Sequence, residues 1–322
     1  MKRLHEAILT RDLERVTELV RAECDRSATD ARDDILRFSV LAFSPSLHSR
    51  STMYAALASA ELFEQLEDPC PLIIACARYA AESHVPWGKA PVTDPPRYPA
   101  SFIVDAQSID EAIEQEDIHE GERWLAALLE SDVVATSFFD AAARHAGEEG
   151  YGFCTAAAAW KIAQRFPPQV RFAVFRTALR EWLQSRPMPA ERSDLLPGEC
   201  TTAAIDSYVR SGGEPALFPP LLLCDAVALA ERVTSDPGRY SNLLRRYVTP
   251  PEESLQIELG SSSWSEADLA YRYASDYAMF LLSVPLTERL SRIAASDLCE
   301  QIPAAARRFL QSSEGFEDWS FA

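Results

Sequence analysis

HEAILTRDLERVTELV, residues 5–20, and DEAIEQEDIHEGERWL, residues 110–125, decide the fold of this chain. Each spaces its apolar residues by threes and fours, the period of a helix with one face in a core. In the first stretch Ala7, Ile8, Leu13, Val16, Leu19 and Val20 form the stripe, and Glu6, Arg11, Glu14, Arg15 and Glu18 form a solvated face. The second stretch repeats that order at a constant offset of 105 residues. Glu6-Ala7-Ile8 falls on Glu111-Ala112-Ile113, Asp12 on Asp117, Leu13 on Ile118, and Leu19-Val20 on Trp124-Leu125.

The correspondence continues outward. The spacing predicts a second helix over about 32–43, stopped at Ser44-Pro45-Ser46, a third over 49–65, and a fourth over about 70–83 with Pro71 in its first turn. Below them lie TSFFDAAARHA (136–146), YGFCTAAAAWKIAQRF (151–166) and, after a proline-marked break, PQVRFAVFRTALREWL (168–183). At an offset of 103, His48 falls on Tyr151, Thr52 on Thr155, and Ala55-Ala56 on Ala158-Ala159. LLLCDAVALAERVTSDPGRYSNLLRRYV, residues 221–248, echoes the third and fourth helices once more, with Cys224 under Cys154.

Only 11 glycines are present and strand-like alternation is nearly absent, so the chain reads as all-α. The expected architecture is a stack of duplicated helical units of about four helices each, which cannot bury their faces alone. The expected organisation is a first unit over 1–84, a proline-rich connector over 85–108 and a second unit over 109–184. A connector with a shortened third unit then covers 185–249, and a C-terminal helical section covers 250–322.

Composition bounds the partners. Acidic residues outnumber basic ones 49 to 31, for a net charge of −18, and the average field repels phosphate backbones and anionic lipid. Neither nucleic acid nor a membrane surface is expected as a partner. No apolar run reaches the ~18–20 residues of a membrane span. The start of the chain enters an amphipathic pattern directly, without the apolar core of a secretory signal. Seven scattered cysteines without a Cys-x-x-Cys pair fit small buried thiols in a reducing, cytoplasmic setting.

Chemistry is sparsely marked. No Gly-x-Gly-x-x-Gly, Walker loop, Gly-x-Ser-x-Gly or His-Glu-x-x-His occurs, and no cofactor is expected. Candidate catalytic residues are His48, which opens a helix at a duplicated position, Tyr151 at the matching place, and His84 beside Pro86 and Trp87. The alanine runs of the third helices could form a shallow wall for a flat apolar ligand, with Tyr54, Trp160 and Trp87 as candidate binding residues. Glu116 and His119 stand at the Glu-x-x-His spacing that puts a carboxylate and an imidazole on one helix face, but one such motif is half of a di-iron set. Position 119 falls under the surface charge Glu14, so no metal is expected there. His145 near Glu148 and Glu149 reads as an exposed helix end.

A ring-bearing residue opening an alanine-rich helix in each unit resembles the questin-oxidase-like oxygenases over most of the chain. The resemblance implies a helical enzyme with no bound organic cofactor. That family's histidine-centred motifs are met only at His48, with Tyr151 and Cys224 at the related positions, so no catalytic residue is carried over. The residues therefore point to an interaction, adaptor or ligand-binding protein that uses a groove between helical units, with a protein or an apolar small molecule as partner. The alternative is a helical tailoring enzyme, cofactor-independent or metal-dependent, acting on an apolar small molecule.

Overall fold

The computed structural model describes residues 2–41, parts of 53–63, 68–83, 94–99, 102, 104–131, 133–147, 150–166, 168–184, 196–210 and 218–248. Among these residues every regular element is a helix: α1 (Lys2–Leu9), α2 (Leu13–Leu41), α3 (Cys70–Ser83), α4 (Ala106–Glu114), α5 (Ile118–Leu129), α6 (Val134–Arg144), α7 (Tyr151–Ala163), α8 (Pro168–Gln184), α9 (Pro197–Arg210), α10 (Phe218–Thr234) and α11 (Ser241–Tyr247). Met53, Tyr54, Ala56, Leu57, Ala60 and Glu61 are helical as well. None of these helices is long and apolar enough to cross a membrane. The chain divides into two compact units, the first with described residues from Met1–Pro91 and Thr202–Leu221, the second from Val92–Thr201 and Leu222–Pro250.

The opening stretch corrects the simplest reading of its period. Residues 5–20 are not one helix. α1 ends at Leu9, Arg11 turns left-handed at φ 58, and α2 starts at Leu13. The stretch 110–125 breaks in the same way, with Glu116 at φ 54 between α4 and α5. In the first unit the amides of Arg11 and Asp12 donate to Ile8 O (3.1 Å) and Ala7 O (3.0 Å), and in the second those of Glu116 and Asp117 donate to Ile113 O (3.1 Å) and Ala112 O (2.8 Å). These are paired Schellman bonds, which close a helix through a left-handed residue and satisfy its last carbonyls.

The residue after each left-handed position is an aspartate that caps the next helix. Asp12 Oδ1 accepts from the Arg15 amide at 3.0 Å, and Asp117 Oδ1 accepts from the amides of His119 (3.0 Å) and Glu120 (3.1 Å). A third such end closes α10, where Ser235 is left-handed at φ 55 and Asp236 N–H reaches Glu231 O at 3.1 Å. The expected separate helix at about 32–43 is met in substance: α2 is two helices joined across Ser27, whose φ −163 and ψ 102 are extended, and the second of them begins a few residues earlier than expected and is described to Leu41. The fourth helix stands where the proline predicted it, as α3.

In the first unit α1 and α2 pack on each other and both pack on α3. On these three helices the buried side chains are mostly aliphatic and small: Leu4, Ala7 and Ile8, then Val16, Val20 and Ile35, then Leu72, Ile73, Cys76, Ala77, Ala80 and Ala81; Met53, Tyr54 and Phe63 of the same unit are buried as well. In the second unit α4 and α5 pack on each other and both pack on α8, while α7 lies against α6 and α8. Aromatic rings fill this core. Phe138 is fully buried, with ring centroids of Phe175 at 4.7 Å, Trp182 at 5.3 Å and Phe139 at 5.7 Å. Nearly all of α7 is buried, as its alanine-rich, low-polarity sequence requires.

Gly152 permits that burial. A Cβ there would sit 2.2 Å from His145 O, a backbone atom that cannot move aside, and the Gly152 amide donates to Ala146 O at 2.7 Å. Its own carbonyl accepts from Trp182 Nε1 at 3.0 Å. The first turn of α7 is thus pinned to the end of α6 and to α8 by one residue without a side chain.

Candidate functional site

Polar chemistry in the second unit begins with residues that the core forces into company. Asp110 on α4 faces the end of α6, where its Oδ1 accepts from Arg144 Nε at 3.0 Å and contacts His145 Nε2 at 2.6 Å. His145 is therefore not the exposed helix end expected from sequence; its side chain is 18% exposed and its partner lies on another helix. Asp110 was not singled out by any motif, because 35 residues separate the two. The only signal available was its place beside the α4 stripe.

Glu122 on α5 is buried and takes Arg176 Nε at 2.5 Å and Arg180 at 3.1 Å, both from α8. Burial, and the positive charge of Arg176, lower the proton affinity of Arg180, and Glu122 opposes this. Lys161 on α7 holds Asp225 on α10 at 2.6 Å. Asp140 on α6 receives Arg239 through two bonds of 2.9 and 2.8 Å and the Tyr240 hydroxyl at 3.1 Å. Burial pushes the Asp140 carboxyl up, but the guanidinium and the phenol outweigh it and hold it below the ordinary carboxylate range. Burial also drives the Cys224 thiol up to about 12, which leaves it inert as a nucleophile.

The residues singled out in the sequence scatter among different environments. Tyr151 opens α7 and is 7% exposed. Trp160, near the other end of that helix, is half-buried among Phe139 (5.5 Å), Phe175 (5.6 Å) and Phe138 (6.1 Å), as part of the core. Tyr54 is fully buried in the first unit, and His5 is half-buried there. His48, His84 and Trp87 lie outside the described residues. Glu116 and His119 are both exposed, and Glu116 occupies the left-handed turn ahead of α5. They do not share a helix face, because α5 begins only at Ile118. Among the described residues no group of three or more His, Cys, Asp or Glu side chains could hold a metal ion.

The outer face of the two corners matches in charge pattern as well. Arg15 pairs with Glu18 at 2.7 Å, and at the same positions 105 residues on Glu120 pairs with Arg123 at 2.8 Å, the signs exchanged. Both pairs are exposed and contribute little to stability. Comparison with protein-family models, with curated protein sequences and with solved structures finds no match to this chain.

Proposed function

We propose that this chain is a helical-repeat interaction protein, its two units elaborated from one ancestral helical pattern, that offers its outer helix faces to a protein partner. The observation that carries the reading is the matched pair of corners: left-handed residues 105 positions apart, each followed by a capping aspartate and each with the same two closing bonds. A left-handed, non-glycine residue is rare, and its recurrence in register is hard to reach by chance. Repeats of this kind stack into extended surfaces suited to binding.

Two further observations support it. Buried or half-buried charges such as Glu122, Lys161, Asp225 and Asp140 are engaged with opposite charges of the same unit. The six described cysteines are free thiols, in keeping with a reducing, cytoplasmic setting. With a net charge of −18 the partner expected is one with a basic surface.

A tailoring enzyme acting on an apolar small molecule is the second reading, and the Asp110–His145 contact is the observation in its favour, since a carboxylate-oriented imidazole is the usual general base. Native mass spectrometry of the chain purified at natural abundance from its own cells separates the two. A stoichiometric complex with a basic protein, dissociating as salt rises, supports the interaction reading. A bound apolar small molecule without protein partner, turned over by the chain, overturns the interaction reading and establishes the enzyme; turnover lost in His145→Gln makes His145 its base, and turnover spared by that substitution takes the role from it.

A further inference from the structure

The exposed charges of the two corners match in place and oppose in sign. At the constant offset of 105, Arg11 corresponds to Glu116, Arg15 to Glu120 and Glu18 to Arg123, while Glu14 corresponds to His119, whose ring carries an N–H donor. The backbone beneath them is the same: a left-handed residue, a capping aspartate and the first turns of α2 and α5. Within residues 6–18 like charges recur at two places. Asp12 and Asp117 accept from amides of their own helices, and Glu6 and Glu111 lie across the turn on α1 and α4. The ion pairs inside each corner leave their members within reach of solvent: Arg15 and Glu18 have 46% and 65% of their side chains exposed, and Arg123 and Glu120 have 48% and 41%. With the α2 face of one copy laid along the α5 face of another, both running the same way, Arg15 meets Glu120 and Glu18 meets Arg123, and two pairs become a ring of four alternating charges. Laid the opposite way, Arg15 meets Arg123 and Glu18 meets Glu120. Exchange of sign at matched positions thus selects the orientation of these two faces as well as their pairing.

We propose that these faces form an interaction surface for a second copy of this chain, the α2 corner of one molecule docking on the α5 corner of another. The proposal rests on the repeat reading above and names a partner for its outer faces. A net charge of −18 opposes association at long range, but salt at ~0.15 M screens that repulsion beyond about 8 Å, while charges brought into contact keep more of their attraction. Exposed ion pairs are individually weak, so the contact is a transient one that forms at high local concentration of the chain.

The test is sedimentation equilibrium of the full chain by itself. At ~0.15 M salt about half of the chain should be associated at ~100 µM, and the association should be lost at ~1 M salt. Arg15→Glu combined with Glu18→Arg gives both corners the same order of signs and should weaken association by at least about tenfold. Adding Glu120→Arg and Arg123→Glu exchanges the signs on both faces and should restore it. These side chains are exposed, so both variants should keep the helical circular dichroism of the unaltered chain. Association undiminished in the double variant overturns the proposal. So does a fourfold variant that stays weakened, the result expected if each face instead pairs end for end with its own copy. A chain that remains monomeric at ~100 µM overturns it as well, and leaves the reading of a basic protein partner standing or falling on its own mass-spectrometric test.

Discussion

The Arg11 corner and the Glu116 corner share a backbone and differ in what they bury. Each is a helix end, a left-handed residue and a capping aspartate, with matching amide-to-carbonyl bonds. Beyond the turn the side chains diverge. Val16, fully buried in the first unit, stands where the second has Gly121, which packs so tightly on α8 that a Cβ would come within 3.1 Å of Leu179 Cδ1. Aligning α3 with α8 at an offset of 98 places Arg78 on Arg176, Ala80 on Ala178 and Ala81 on Leu179. The first unit thus writes valine with alanine where the second writes glycine with leucine, four side-chain carbons in either case. Backbone hydrogen bonds tolerate such exchanges because they ignore side-chain identity, and close packing requires that the volume be returned nearby.

The largest expected effect falls on the closest backbone approach described in the second unit. Gly152→Ala forces a Cβ against the His145 carbonyl and should cost more than about 3 kcal/mol by chemical denaturation, with loss of helical signal in α6 and α7 by hydrogen exchange. The first unit has Ser49 at the 103-residue offset, outside the described residues. A cost below about 1 kcal/mol would mean that the close approach at Gly152 is not a feature of the second unit.

The volume exchange can be tested directly. Gly121→Val should cost about 2 kcal/mol by overpacking and Leu179→Ala about 3 kcal/mol by leaving a cavity. The double variant, which copies the first unit, should return to within about 1 kcal/mol of the unaltered protein. Strict additivity of the two losses would show that the positions are not coupled and that the alignment of α3 with α8 is mistaken.

The corners themselves predict a gain. Arg11→Gly and Glu116→Gly each relieve a side chain held at positive φ, and each should stabilise by about 0.5–1 kcal/mol, by like amounts at the two sites. Destabilisation at one corner alone would show that its side chain makes a contact that the other lacks. The smallest effect is on the outer face: Glu14→Ala and His119→Ala, both at exposed positions, should change stability by less than about 0.5 kcal/mol. Stoichiometric transition metal in the purified protein, lost with His119→Ala, would instead make His119 a ligand and separate the two faces.

Much of this was written in plain period and punctuation. The apolar stripe around Val16 and Val20 and the proline of α3 and α8 place helices with their buried faces, because burial of an amphipathic face depends on local spacing alone. The left-handed corners were hidden. Arg11 and Glu116 are neither glycine nor proline, and the stripe runs through them without a change of period. The available cue was the aspartate after each, a helix-capping residue in mid-stripe. Of the candidate site residues, Tyr151, Tyr54 and Trp160 were legible as apolar ring positions, but an aromatic ring in a core and one in a pocket obey the same periodicity.

By itself, then, the sequence determined that the chain is all helical, where its α3 and α8 helices start, and that its charge is strongly acidic, since each follows from residue type and near-neighbour spacing. Only the tertiary structure decided that Asp110 meets His145, that Glu122 is claimed by Arg176 and Arg180, and that Gly152 must lack a side chain. Those pairs lie 30 or more residues apart, or depend on a backbone atom of another element, apart from the short reach from Gly152 to His145. Their partners are set by how helices cross, and helix crossing is settled by the summed fit of many side chains that no single stretch contains.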